Sequence, residues 1–377
     1  MDARARVEAA LAGGEVDRPP AGAWGHRYRD EWTAERLAEA TVDRARRFGW
    51  DFVKFQPRAT FFAEAFGARY RPSGHSLRAP VIDEAPVRDL NDWKTLALVD
   101  GSVLDEQARA LGLVVRGLGD RVPVLQTVFS PLSVASYLVG RENRRLVRDL
   151  RSHPDVVLPA LRSIADALTE FCRRSVEAGA AGVFYAISGF ATRDAMPPVV
   201  YDDLALPLDH AVLGGLPAEA WFNALHLCGS HITVEVASRL PVQALSYSIH
   251  NQGNPPLREA RDRSGRAVMG GLEQRRVLVG GPPEEIWRQV SEAIASTGGR
   301  SLLLAPGCSV PPRAPDRNLL AMMEAGRRER GSGAPPGGDR AVGPRHGSLA
   351  GLLSGRVRPR ADLAARAAQP VPPRRPR

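Results

Sequence analysis

Apolar residues fall along this chain in two alternating textures. Short, nearly continuous apolar runs occur at AGAWGHRY (21–28), DFVKFQP (51–57), VPVLQTVF (122–129), AGVFYAI (181–187), AEAWFNALHLC (218–228), VQALSYSI (242–249), RAVMGGL (266–272) and SLLLAPG (301–307), eight in all. Runs of this length, rich in β-branched and aromatic residues, predict strands. Between them apolar residues recur at three- and four-residue steps, as in Val157, Leu158, Leu161, Ile164, Leu168 and Phe171 of the stretch 154–178. That spacing lines one face of a helix. In GGPPEEIWRQVSEAI the prolines sit where a first helical turn lacks N–H partners, and Glu284 and Glu285 sit where the macrodipole favours anions. Apolar strands alternating with amphipathic helices predict an α/β protein with a parallel sheet covered by helices. Eight of them predict a (β/α)₈ TIM barrel, with a doubly wound open sheet as the alternative.

The pattern stops near residue 330. GSGAPPGGDRAVGPRHGS and VPPRRPR carry Gly, Pro, Ala and Arg without periodicity, and such a composition cannot offset the entropy of ordering. We therefore expect a barrel over 1–329 and a disordered basic tail over 330–377, with SLAGLLSG (348–355) as a brief helix.

Charge follows the same division. The formal net charge is +9, but residues 331–377 hold nine arginines against Asp339 and Asp362, so most of it belongs to the tail. The charge of the barrel gives no case for nucleic-acid binding. Three scattered cysteines cannot build a disulfide framework, and no segment nears the roughly 18 apolar residues of a membrane span. With no apolar signal-like run at the N-terminus, the expectation is a cytoplasmic protein without a membrane partner. GLGD (117–120) lacks the spacing of a dinucleotide fingerprint, so no nucleotide cofactor is indicated.

The candidate chemistry lies at strand ends. Residues i and i+2 of a strand share a face, so His226 and Cys228 of HLCG project together, and Gly229 lets the chain turn. Cys308 of APGCS follows another strand, and the carboxyl ends of barrel strands converge on one rim. An imidazole and two thiolates suit Zn²⁺ and leave a fourth position open, as catalytic zinc requires. The competing reading makes all three core residues. Cys172, beside Phe171 on a helix, is read as core packing. His250, Asn251 and Glu273 also fall at strand ends. Arg27, Arg29, Lys54 and Arg58 cluster near the first two strands, where they would hold an anionic substrate or serve as solvated surface charge.

At these residues the sequence resembles the uroporphyrinogen decarboxylase superfamily, through RVEAALAGGEVDRPP, FAEAFG, SPLSVASYLVG, EAGAAGVFYAISG, HLCG, GGLEQRRVLVGGPPEEI and APGCSVPPRAPDRNL in that order. The resemblance implies a (β/α)₈ barrel and one of two chemistries. Decarboxylases remove the acetate arms of uroporphyrinogen III without a cofactor. Cobamide-dependent methyltransferases carry an H-x-C…C zinc motif and move a methyl group from a methylcorrinoid, held on a partner protein, to a thiol.

The decarboxylase pattern matches at Arg27 and at the active-site tyrosine, Tyr137. It fails at Ala23 in place of a second arginine, at Pro57 in place of the pyrrole-binding aspartate, and at Cys308 in place of a late histidine. The methyltransferase pattern matches at His226, Cys228 and Cys308. The resemblance thus implies a zinc-dependent methyltransferase with Tyr137 and Cys308 in catalysis and Arg27, Lys54, Arg58, His250 and Glu273 lining the substrate cavity. A decarboxylase of porphyrin biosynthesis, or of a related acid, is the first alternative. A non-catalytic corrinoid or tetrapyrrole carrier is the second, and dimerisation is left open.

Overall fold

The computed structural model describes residues 1–328. The expected tail therefore lies outside the described residues. In chain order the strands are β1 (Val53–Phe55), β2 (Arg69–Arg71), β3 (Val81–Glu84), β4 (Val124–Phe129), β5 (Gly182–Ser188), β6 (Ala224–Cys228), β7 (Ala244–Ser246), β8 (Ala267–Leu272) and β9 (Leu302–Pro306). Seven of them form one parallel sheet in the order β1-β4-β5-β6-β7-β8-β9, and each lies within an apolar run of the sequence except β5, which runs one residue past its run to Ser188. β2 and β3 form a separate antiparallel ribbon that the sequence pattern did not announce. Those strands are short and charged, so no alternation marks them.

The run 21–28 corrects the count of eight strands. Only Ala21 joins the sheet, through one parallel bridge to Leu304. Gly22 N donates to Leu304 O at 3.1 Å, Leu304 N to Pro20 O at 2.8 Å, and Asp51 N to Ala21 O at 2.8 Å. Residue 21 therefore touches both edges of the sheet, beside β9 and just ahead of β1. Ahead of that bridge the backbone has little left to pair. Pro19 and Pro20 have no N–H to give, and the N–H of Ala21 goes to the buried Asp51 carboxylate at 2.8 Å. Asp51 also receives Arg6 Nη1 at 2.7 Å and Arg18 Nη1 and Nη2 at 2.5 and 2.8 Å, so side chains finish what the backbone leaves open.

The alternation of each strand divides the core in two. Val53, Val124, Val183, Tyr185, Leu225, Leu245 and Val268 face the helices, and Leu125, Phe184, Ala224, Ala244, Met269 and Leu303 fill the inside of the curled sheet with Trp24, Phe52 and Phe222. The interior is packed with side chains and is no pore. The helix expected over 154–178 is found at Pro154–Glu177, with Val157, Leu161, Ile164, Leu168, Phe171 and Cys172 buried, and the proline-led helix at Pro283–Thr297. No helix among the described residues is long and apolar enough to cross a membrane.

Candidate metal centre

β6 delivers two of the three expected ligands by strand geometry alone. Ala224 packs in the inner core, so His226 and Cys228, two and four residues on, point the same way. Gly229 follows at φ 125°, a backbone state open to glycine, and turns the chain away. The third arrives from β9. Gly307 brings its backbone so near Ser248 that an added Cβ would lie 2.6 Å from Ser248 Cα, and Val310 N donates to Trp24 O at 2.8 Å. Cys308 is held between these two anchors.

The result is a compact donor set. One ligand atom from each of His226, Cys228 and Cys308 lies within 4.8 Å of the others. His226 Nδ1 is 3.2 Å from Ser246 Oγ, which leaves Nε2 as the nitrogen free to take a ligand. The cysteines differ in kind. The hydrogen bond from Cys228, helped by His226, holds the Cys308 thiol well below its ordinary value, and the same contact raises that of Cys228. Cys172, by contrast, is fully buried and its thiol is pushed up to about 12, which agrees with core packing.

The trio opens on a cavity of about 150 Å³ whose wall includes Trp24, Lys54, Gln56, Phe184 and Tyr137. Tyr137, expected in catalysis, and Lys54, expected to bind substrate, are in this wall, and the other expected substrate-binding residues are elsewhere. Arg58 is spent on Glu64 at 2.8 Å and on the carbonyl of Glu31 at 3.1 Å. Arg27 is exposed and pairs with Asp30 at 3.0 Å, and the exposed His250 contacts the Gly271 carbonyl at 3.1 Å. Glu273 accepts the N–H groups of Arg275, Arg276 and Val277 at 2.9, 2.6 and 2.9 Å. Burial pushes its carboxyl up, but these three donors outweigh it and leave it below the ordinary value, as for a helix-capping residue.

Lys54 is only 6% exposed, with Nζ 5.0 Å from the Phe184 ring centroid. It donates to Gln56 Oε1; Gln56 Nε2 lies 2.8 Å from His26 Nε2, and His26 Nδ1 lies 2.9 Å from Glu31 Oε1. Burial lowers its pKa to about 7, partly offset by Cys308 and Glu31. Below about pH 7 the buried ammonium destabilises the fold in full; as pH rises toward the unfolded value near 10.4 the native state sheds its proton first and stability is gained. Lys54→Met is therefore expected to stabilise the protein on the order of 2 kcal/mol at pH 6, with the gain shrinking toward pH 10. Urea unfolding at both pH values checks this, and an equal difference at both would contradict it.

The sequence reading missed Gln56, Thr127, Phe184 and Ser188 of this wall. All are inward positions on β4 or β5, or one step past the end of β1. The i, i+2 rule applied to every strand, and not only to the one carrying a metal-like pair, would have found them.

The fold and the site together define an α/β protein with a parallel sheet and a thiol- and imidazole-floored cavity at the carboxyl ends of its strands. The chain belongs to the Uroporphyrinogen decarboxylase (URO-D) family, which matches residues 2–329. It is 23% identical over 311 residues to methylcobamide:CoM methyltransferase MtbA of Methanosarcina acetivorans, covering 81% of this chain and 86% of that protein. It is 25% identical over 315 residues to the uroporphyrinogen decarboxylase of Nitrosomonas europaea, covering 79% and 82%. Among solved structures, a methyltransferase from Methanosarcina mazei superimposes with a TM-score of 0.74 over 87% of this chain and 99% of that one, at 22% identity. Family members include both methyltransferases and decarboxylases, so the reaction has to be argued from the site.

Proposed function

We propose that this protein moves a methyl group from a methylcorrinoid, carried by a partner protein, to a thiol, with zinc held by His226, Cys228 and Cys308. The observation that carries the reading is the donor set: an imidazole and two thiols within 4.8 Å, on a cavity floor. Sulfur and nitrogen donors suit zinc. Among the described residues no fourth His, Cys, Asp or Glu joins the group, which supports an open position over a closed structural site. When bound there, zinc would stabilise the thiolate form of an acceptor and so make it nucleophilic at neutral pH.

The chain's own residues do the rest. Ser246 orients His226, Gly307 and Val310 fix the approach of Cys308, and Phe184, stacked 5.3 Å from the His226 ring, keeps water from one side of the site. Lys54 faces the same space and offers an amine, held by Gln56, whose pKa burial lowers to about 7. The decarboxylase reading has less support: Pro57 stands where the pyrrole-binding aspartate would be, and Ala23 and Cys308 stand in place of its second arginine and late histidine. The accompanying fold reading is a complete eight-stave barrel in which residues 20–22 form an abbreviated stave.

The test is methyl transfer from free methylcobalamin to 2-mercaptoethanol by the zinc-loaded full chain. The expected result is zinc-dependent demethylation of the corrinoid together with the methyl thioether product, both lost in Cys228→Ala. Formation of coproporphyrinogen from uroporphyrinogen by metal-free protein, without corrinoid demethylation, would favour the decarboxylase instead.

A further inference from the structure

The cavity above the thiols continues outward. A second cavity of about 330 Å³ shares His26, Ala59 and Tyr137 with it and runs beneath the β2–β3 ribbon, where Tyr70 and Ile82 line it. Its walls are flat and aromatic: His26 stacks on Tyr28 at 4.9 Å, and Tyr70 meets Tyr137 edge-on at 6.4 Å between centroids. Arg141 supplies a permanent cation, its guanidinium carbon 4.5 Å from the Tyr137 ring centroid.

The backbone at Arg141 is unusual for an arginine. The helix Pro131–Leu138 ends through Gly140 at φ 64° and Arg141 at φ 72°. Left-handed backbone suits glycine and is strained for a residue with a Cβ. The turn itself needs only the backbone, since Arg141 N donates to Ser136 O at 2.7 Å. Nor does an ion pair account for the side chain: among the described residues it meets no carboxylate. Arg145, on the next helix, is fixed by Glu142 at 2.8 Å and by the carbonyls of Val87 and Arg88 at 2.7 Å each. A strained position thus places an exposed cation, with no carboxylate partner among the described residues, on the wall of an aromatic cavity. Strain of this kind collects at ligand sites. Tyr137 connects the two chambers, its phenol lying in the field of both Arg141 and Cys228.

We propose that the outer cavity binds the body of the methyl acceptor, and that this body is a flat aromatic ring bearing one carboxylate directed at Arg141, with the thiol reaching the Cys228–Cys308 pair. The inference rests on the thiol-acceptor reading above. A ring satisfies the faces of Tyr28, Tyr70 and Tyr137, and a carboxylate matches the guanidinium fork. The two chambers together reach the size range of small-molecule sites.

The experiment is calorimetric titration of the zinc-loaded full chain with 4-methylbenzoate, 4-(mercaptomethyl)benzoate and phenylmethanethiol, repeated in Arg141→Gly and Arg141→Gln. Both variants are expected to weaken the two carboxylates about tenfold or more and to leave phenylmethanethiol within about twofold. Arg141→Gly should at the same time raise Tm, because glycine fits the backbone better than arginine does, and this separates lost recognition from lost folding. Three results would overturn the proposal: no binding of 4-methylbenzoate to the wild type, no loss of either carboxylate in the variants, or an equal loss for phenylmethanethiol. Failure of the metal reading looks different. The mercaptomethyl and methyl benzoates would then bind the wild type equally, with the discrimination by Arg141 intact.

Discussion

Asp51→Ala is expected to lower the unfolding free energy by about 4 kcal/mol, the cost of removing one partner from a buried ion-pair network. Asp51 is 3% exposed and its two oxygens accept Arg6, both Nη atoms of Arg18 and the N–H of Ala21. Without the carboxylate, Arg6 keeps Asp17 at 2.6 Å. Among the described residues Arg18 then keeps only the Pro19 carbonyl at 3.3 Å, and its Nε already has no partner there. The loss also reaches the sheet, because Asp51 holds Ala21 where it bridges β9. In thermal unfolding the variant should melt on the order of 10 °C lower. Amide exchange should accelerate at Gly22 and Leu304, which bond across that bridge, before it does so in β5 or β6. A loss under about 1 kcal/mol, with Gly22 and Leu304 still protected, would mean that the backbone closes the sheet unaided.

Cys308→Ala carries the second large effect, on metal content. Side chains that only orient a ligand, as Ser246 would orient His226, commonly matter about 10–100-fold in affinity, and removal of a ligand costs more. Zinc should therefore fall from about one ion per chain to a trace after dialysis against a mild chelator, with parallel losses in His226→Ala and Cys228→Ala. Cys172→Ala is the control, since that cysteine is buried in helix packing and lies outside the cluster. Full zinc in Cys308→Ala would remove Cys308 from the site and with it the match to the methyltransferase motif.

Much of the fold was legible because apolar continuity and period directly encode burial on two faces. Seven strands coincide with the runs that predicted them to within one residue, and the helices Pro154–Glu177 and Pro283–Thr297 start where proline and acidic residues mark them. The run 21–28 misled because its apolar residues, such as Trp24, fill the interior without pairing in a ladder. Hydrophobicity records burial, and hydrogen-bond partners such as Asp51 lie far along the chain. The donor trio was legible for a related reason: i, i+2 spacing on β6 is local, and convergence at the strand ends supplies Cys308. The roles of the charged side chains were not. Arg58 and Glu273 occupy strand-end positions just as Lys54 does, but Glu64 and three backbone N–H groups consume them. Arg141 went unnoticed because its importance rests on a left-handed backbone and on the absence of a carboxylate among the described residues, neither of which a sequence displays.

The most direct measurement is zinc K-edge X-ray absorption on the full chain, with and without a saturating thiol. Zinc is expected to be bound by the two thiolates of Cys228 and Cys308 and the imidazole of His226, with one additional sulfur when thiol is present. A sulfur count unchanged by thiol, or zinc already enclosed by four protein side chains, would contradict this.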